Sequence, residues 1–474
     1  MGIEHFKVRL YRRVSIPHSV AISTEKPTAL GRLVRLFGDV RVGEVASVLL
    51  LSLNGFLLLT AYYVLKVVRE PLILVGGGGA EIKSYATGAQ ALLLILVVKA
   101  NDGLAKRFPR MGLVAMFTLF SAGCLVLFCV LSLLSVPIGI PFYLWVGMFS
   151  VTLIAQFWGF AADVYTADQG KRLFAIVGIG GSLGGVVGAD VAQRLLVPLG
   201  PSLMMLVAAA IVLVYLFVMY VVHRRELRSG AHPAEQPIVE ASQPIGERGG
   251  FSLVLHDRYL LLIGGLTLLL NWVNTTGEYL LDRTLLEITA PETAAHAVDF
   301  KTVQQFIGAF KAEYFFWVNL AALLMQLFVA SRVLKYLGVR GALYILPLLA
   351  ITTYSSMVLV PLVAVVALAK VAENSVNYSI QNTTKQALYL VTSREAKYKA
   401  KTVIDSFLQR AGDVITAGLV WGGIRLHLST RQFVVMVMAA IAGWLALVVA
   451  IGREHRVREA ALQRTAPAPP ARVG

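Results

Sequence analysis

Apolar residues run along this chain in blocks of about twenty, the length that carries a helix across a hydrocarbon core. The blocks fall at roughly 45–69, 84–100, 111–134, 141–165, 173–197 and 202–222. After a polar stretch they resume at about 259–281, 311–334, 341–357, 359–384, 402–424 and 432–452. Lipid admits only helices or closed barrels, and the period-two alternation of a barrel strand is absent. The pattern predicts an all-α membrane protein with twelve transmembrane helices in two six-helix bundles. It also divides the chain: a basic N-terminal segment 1–43, a first bundle 44–222, a linker 223–258, a second bundle 259–452 and a tail 453–474. The tail ends in TAPAPPARVG and is expected to be disordered. TALGRLVRLFGDVR, 28–41, is expected to lie as a surface helix on the inner leaflet. No apolar core precedes Val45, so no cleavable signal peptide is expected and the first span directs insertion.

Charge in the loops orients the bundles. Lys106, Arg107 and Arg110 follow the second span, Lys171 and Arg172 the fourth, and Arg224, Arg225 and Arg228 the sixth. Arg332, Lys335 and Arg340 follow the eighth, and Arg394, Lys397, Lys399 and Lys401 the tenth. The opposite loops (SVPIGIP, VPLGP, SSMVLVP) are nearly uncharged. The positive-inside rule then puts both termini in the cytoplasm of a bacterial inner membrane. Six spans, a polar linker and six spans is the layout of a major-facilitator-type bundle, with a substrate site expected between the halves.

Composition agrees. The chain is 57% hydrophobic and 15% charged, more apolar surface than a soluble protein hides. The net charge of +16 is accounted for by short loops, so nucleic acid is not a partner. Cys124 and Cys129 share one apolar span and read as packing residues.

Polar residues inside the spans carry the chemistry. An ionisable group at mid-membrane costs roughly 2.5–3.5 kcal/mol on insertion scales, so it faces a bundle interior or a wet cavity. Tyr62, Lys66 and Arg69 step along one face of the first span. Comparable stripes are Thr152, Gln156, Gly159 and Asp163 in the fourth span, and Asn271, Asn274 or Thr275, Glu278 and Asp282 in the seventh. The tenth has Asn374, Asn377 or Tyr378, Gln381 and Lys385. Polar glue between helices, at roughly 0.6 kcal/mol per bond, accounts for a single such residue but not for four stripes. The cations point to an anionic solute, and the substrate-binding candidates are Tyr62, Lys66, Arg69, Gln156, Asn274, Asn377, Gln381 and Lys385. Asp163, Glu278 and Asp405 are the gate or coupling candidates. Two opposite-charge pairs are expected, Arg69 with Glu278 closing the outside and Asp163 with Lys385 closing the inside. Snorkelling to the headgroups is the competing role for such end-placed charges. Lys370 and Glu373 are one turn apart and are expected to neutralise each other. Asp405, Gln409 and Asp413 make a further stripe in the eleventh span.

Other signals are weaker. The glycines of FAIVGIGGSLGGVVGAD lack the preceding strand of a dinucleotide fingerprint, and close helix packing explains them. Gly76 to Gly79 reads as an outer turn, and 282–310 as a long outer segment with room for a surface helix. No catalytic triad or metal cluster is present, so no enzyme activity, cofactor or metal is expected.

Three segments resemble the ATP/ADP translocases of plastids and intracellular bacteria, which are unrelated to the mitochondrial carrier. They are YYVLKVVREPLILVGGGGAEIK, QFWGFAADVYTADQGKRLFAIVGIGG and YSIQNTTKQALYLVTSREAKYKAKTVIDSFLQRAGD. The resemblance runs from about 45 to 450, and the middle segment is the most specific. It implies twelve spans and exchange of a nucleotide rather than its hydrolysis. By that resemblance Lys66 and Arg69 contact phosphates, Lys385 is the cation of the tenth span and Glu278 the acid of the seventh. Asp163 falls near the family's acidic position in the fourth span. Gln386 stands where the family has an acid, and Glu70-Pro71 where it has an acid and a small residue. The expectation is a monomeric secondary transporter exchanging ATP- and ADP-type nucleotides, or a related phosphorylated anion, by alternating access. A proton-coupled major-facilitator carrier for another organic anion or drug is the alternative, and a non-transporting scaffold the second rival.

Overall fold

The computed structural model describes residues 40, 44–76, 78–105, 107–165, 167–229, 249–294, 300–360, 362–393 and 395–465. The expected surface helix 28–41 lies outside them except for Val40, as do 230–248 of the linker. The described residues are helical almost throughout and contain no strand.

The first half comprises α1 (Val45–Leu74), α2 (Gly79–Ala105), α3 (Arg110–Leu133), α4 (Gly139–Val164) and α5 (Ala167–Ser229). α5 breaks at Gly200, where φ is 73° between Pro198 and Pro201, so it accounts for two spans. A short α6 (Gly250–His256) leads into the second half. That half holds α7 (Arg258–Ala294), α8 (Phe300–Phe328), α9 (Ala330–Ala342), α10 (Ile345–Leu359) and α11 (Val363–Val376). A π-helical turn at Asn377–Gln381 joins α11 to α12 (Asn382–Leu388). Further π turns flank α13 (Lys401–Val403) and precede α14 (Gln409–Arg425), and α15 (Thr430–Thr465) ends the described chain.

Among the described residues, seven helices are long and apolar enough to cross a membrane singly, and α9 with α10, bent by 77°, makes an eighth if the pair is one span. α2, α11 and α14 are not among them; α11 and α14, at 14 and 17 residues, are cut short by the π turns beside them. With breaks at Gly200 and Gly338 and the π turns joined through, the helices follow the order expected of twelve spans. Exposed Leu119, Phe120, Leu127 and Phe217 are the faces such a protein turns to lipid.

Several boundaries move. α1 continues through Pro71 to Leu74, so Arg69 and Glu70 lie inside the helix. α7 and α8 extend to Ala294 and back to Phe300, so the expected outer segment 282–310 is mostly two helix ends. Lys311 thereby falls within a span rather than at its edge. α15 runs to Thr465, so 453–465 of the expected disordered tail is helical. Ion pairs hold it: Arg458 meets Asp257 at 2.7 Å and Glu454 at 3.7 Å.

α1 lies at the centre of the first half because α5 lets it in. Gly180, Gly184 and Gly188 are four residues apart, and an added Cβ would stand 2.3, 2.2 and 2.5 Å from the carbonyl oxygens of Ser52, Phe56 and Thr60. Only glycine permits that approach. The neighbouring Gly181 and Gly185 line a cavity instead, so one helix both seats α1 and leaves room beside it.

Candidate functional site

Two cavities lie between the halves. Glu44 of α1 receives a hydrogen bond from Gln169 of α5, and Arg458 of α15 holds Asp257 before α7. We call that side the near end. The smaller cavity, about 230 Å³, lies toward the far end, and a wider chamber of about 700 Å³ lies toward the near end. Asn274 and Tyr378 border both.

In the smaller cavity α1 presents Tyr62, Lys66 and Arg69 together, as their spacing requires. Arg69 stacks over Tyr143 at 4.5 Å and its Nε reaches Glu70 Oε1 at 3.3 Å. Lys66 is held differently. Its Nζ stands 4.2 Å from the ring centre of Phe315 and 5.1 Å from that of Tyr63, and no carboxylate pairs with it among the described residues. The second half contributes Arg410, whose Nη1 lies 3.3 Å from Asp413. Asp413 also accepts from Asn271 at 2.7 Å and Thr275 at 2.9 Å, so three groups fix the direction of Arg410.

At the far end of this cavity lie four buried, interlocked charges. Lys83 of α2 bonds Glu70 of α1, and it reaches across to Asp282 of α7 at 2.6 Å. Lys311 of α8 pairs with the same Asp282 and lies 3.9 Å from Glu70. Lys311 is fully buried, and Glu70 and Asp282 are 1% exposed. Among the described residues, every ion pair joining the two halves belongs to this cluster.

The expected outer pair of Arg69 with Glu278 is therefore not formed. Arg69 turns to Glu70, its own neighbour. Glu278 accepts from Tyr314 at 2.8 Å and Asn374 at 2.7 Å, partners supplied by α8 and α11. Lys385 pairs with Asp405 at 3.0 Å, a contact within the second half. The side chain of Asp163 lies outside the described residues. Lys370 does meet Glu373, at 3.3 Å, and also donates to Asn274 at 3.3 Å.

Asn274, Asn377, Gln381 and Lys385 come together around the wider chamber. Gln156 borders neither cavity; its turn of α4 offers Phe157 and Trp158 to the chamber instead. Sequence reasoning missed Lys83, Lys311, Arg410 and Tyr314 because the apolar blocks were drawn too short or their polar faces were not followed. Val303, Ile307, Phe310 and Tyr314 recur at helical spacing, and that signal places Lys311 inside α8.

No family model matches the chain. The ADP,ATP carrier protein 1 of Chlamydia muridarum is 22% identical, with 89% of this chain and 90% of that carrier aligned. The chain is similar to ADP,ATP carrier proteins over most of its length. The same-named carrier of Chlamydia pneumoniae is 23% identical over 62% of this chain and 63% of its own length, so that alignment spans under two thirds of the relative. Solved structures share the fold. A bacterial homologue of the iron transporter ferroportin, facing inward, superposes with a TM-score of 0.59 at 12% identity, covering 87% of this chain and 98% of the other. The nucleoside transporter NupG gives 0.56 at 11% over 87% and 98%, and a D-xylose-proton symporter 0.56 at 13% over 84% and 97%. The chain is an integral all-α membrane protein with a major-facilitator-type fold.

Proposed function

We propose that the chain is a secondary carrier that exchanges nucleotides, or a related phosphorylated anion, by alternating access, with both termini on the cytoplasmic face of an inner membrane. The observation that carries this is Lys66. A cation placed between two bundles with only aromatic rings beside it lacks the counter-charge such a position demands. An anion entering the cavity supplies it, and Arg69 and Arg410 converge on the same space from opposite halves. Phosphate oxygens suit such a set, because guanidinium groups bind them in fixed forks. The relatives being ADP,ATP carriers supports a nucleotide in particular.

The four-charge cluster is the barrier that must part on the far side. Glu70 and Lys83 stay with the first half, and Asp282 and Lys311 with the second. Separation leaves each half holding one acid and one base, so neither carries a lone buried charge away. An anion bound at Arg69 competes with Glu70, which links occupancy of the site to the barrier.

Nucleotide exchange is tested on the purified full chain. Thermal unfolding should rise with ATP or ADP, since a ligand at a hundred times its dissociation constant adds about 2.7 kcal/mol to the folded state. In Lys66→Gln that rise should vanish, and Lys66→Arg should restore part of it. Proteoliposomes loaded with ADP should take up labelled ATP. A full nucleotide response in Lys66→Gln would sink the assignment.

A further inference from the structure

The wider chamber has a character of its own. Its one charged lining residue among those described is Lys385, already paired with Asp405. Its remaining polar lining is mainly carboxamides. One of them is unusual: Gln381 is 1% exposed, and neither its Oε1 nor its Nε2 has a hydrogen-bond partner. A buried amide with both ends unpaired is unfavourable unless something entering the site completes it. The backbone prepares the position. The π-helical turn Asn377–Gln381 sets Asn377, Tyr378 and Gln381 along the chamber wall, and such widened turns recur at functional sites. From the other half come Tyr63 and Trp158, the latter with 38% of its surface exposed.

We propose that this chamber is the subsite for a nucleobase, read at its edge by the Gln381 amide and stacked at its face by Trp158. The assignment rests on the nucleotide reading above and deepens it. A carboxamide sets one donor beside one acceptor, the complement of a base edge that does the same. An indole ring takes the flat face of any base. Phosphates find no free cation in the chamber, whereas Lys66, Arg69 and Arg410 line the smaller cavity. Asn274 and Tyr378 border both spaces, so one extended molecule lies with phosphates toward the far end and base toward the near end.

Calorimetric titration of the purified full chain with ATP and with inorganic tripolyphosphate separates the two ends. Gln381→Leu should weaken ATP roughly tenfold, the size of one lost base-edge contact, and Trp158→Leu about tenfold, the size of one lost stacking contact, and both should leave tripolyphosphate unchanged. Lys66→Gln should weaken both ligands. Equal weakening of both ligands by Gln381→Leu, or of neither, overturns the subsite. Should Gln381→Leu misfold, Gln381→Met, closer in length, carries the same test. A wild-type chain that binds tripolyphosphate as tightly as ATP overturns the base subsite and leaves the phosphate end standing. A wild-type chain that binds neither overturns the nucleotide reading itself.

Discussion

At the scale of single side chains, the cavity is marked by how each cation on its wall is held. Lys66 and Arg410 are both cations on its wall, yet their settings differ. Lys66 is flanked by rings, and Arg410 is anchored by Asp413. Asp413 is in turn held by Asn271 and Thr275, so losing Arg410 would not leave it without donors. Arg410→Gln should therefore fold nearly as well as the native chain but bind tripolyphosphate roughly tenfold more weakly, the scale of one charged hydrogen bond. Isothermal titration measures it. Unaltered binding would mean that Arg410 serves Asp413 alone. The stripe of Tyr62, Lys66 and Arg69 was legible in the sequence because helical spacing fixes a shared face. Arg410 was not, since nothing local distinguishes it from Lys399 or Lys401, which lie on the same stretch.

Elements place those side chains. α1 reaches the centre of the first half through the glycines of α5, and the packing is close enough that a methyl group there meets backbone. Gly184→Val should lower stability by about 1–3 kcal/mol or more, as overpacking does, seen as a lower unfolding temperature. Gly178→Ala should be nearly neutral, because nothing lies within 4 Å of its added Cβ. Similar melting of the two variants would contradict this account of the interface. The glycine pattern announced close helix approach, though not which helix approaches. The π turn at Asn377–Gln381 was invisible in the sequence, since one extra residue in a turn leaves no compositional mark.

At the scale of the whole molecule, the halves are joined by charge at the far end. Breaking a buried ion pair by removing one partner costs about 3–5 kcal/mol. Asp282→Asn removes the acid that holds both Lys83 and Lys311, so it should loosen the far end selectively. A Ser84→Cys reporter, buried beside Lys83 on the cavity wall and built with Cys124 and Cys129 replaced by Ser, measures this. Maleimide should modify it faster in the Asp282→Asn background than in the native one. Equal rates in the two backgrounds would show that the cluster is no barrier.

Hydropathy specified the all-helical membrane fold, because crossing lipid demands length and apolarity that a local window records. The basic stripe on α1 and the amide stripe after α11 were equally readable, since helical period alone sets a shared face. Which charges meet was settled by tertiary structure. Glu70 is next to Arg69 in the chain, but Lys83 and Lys311 come to it from two other helices, and Asp282 of a third holds both lysines. Long-range ion pairing depends on how whole bundles dock, and no stretch of sequence carries that geometry by itself.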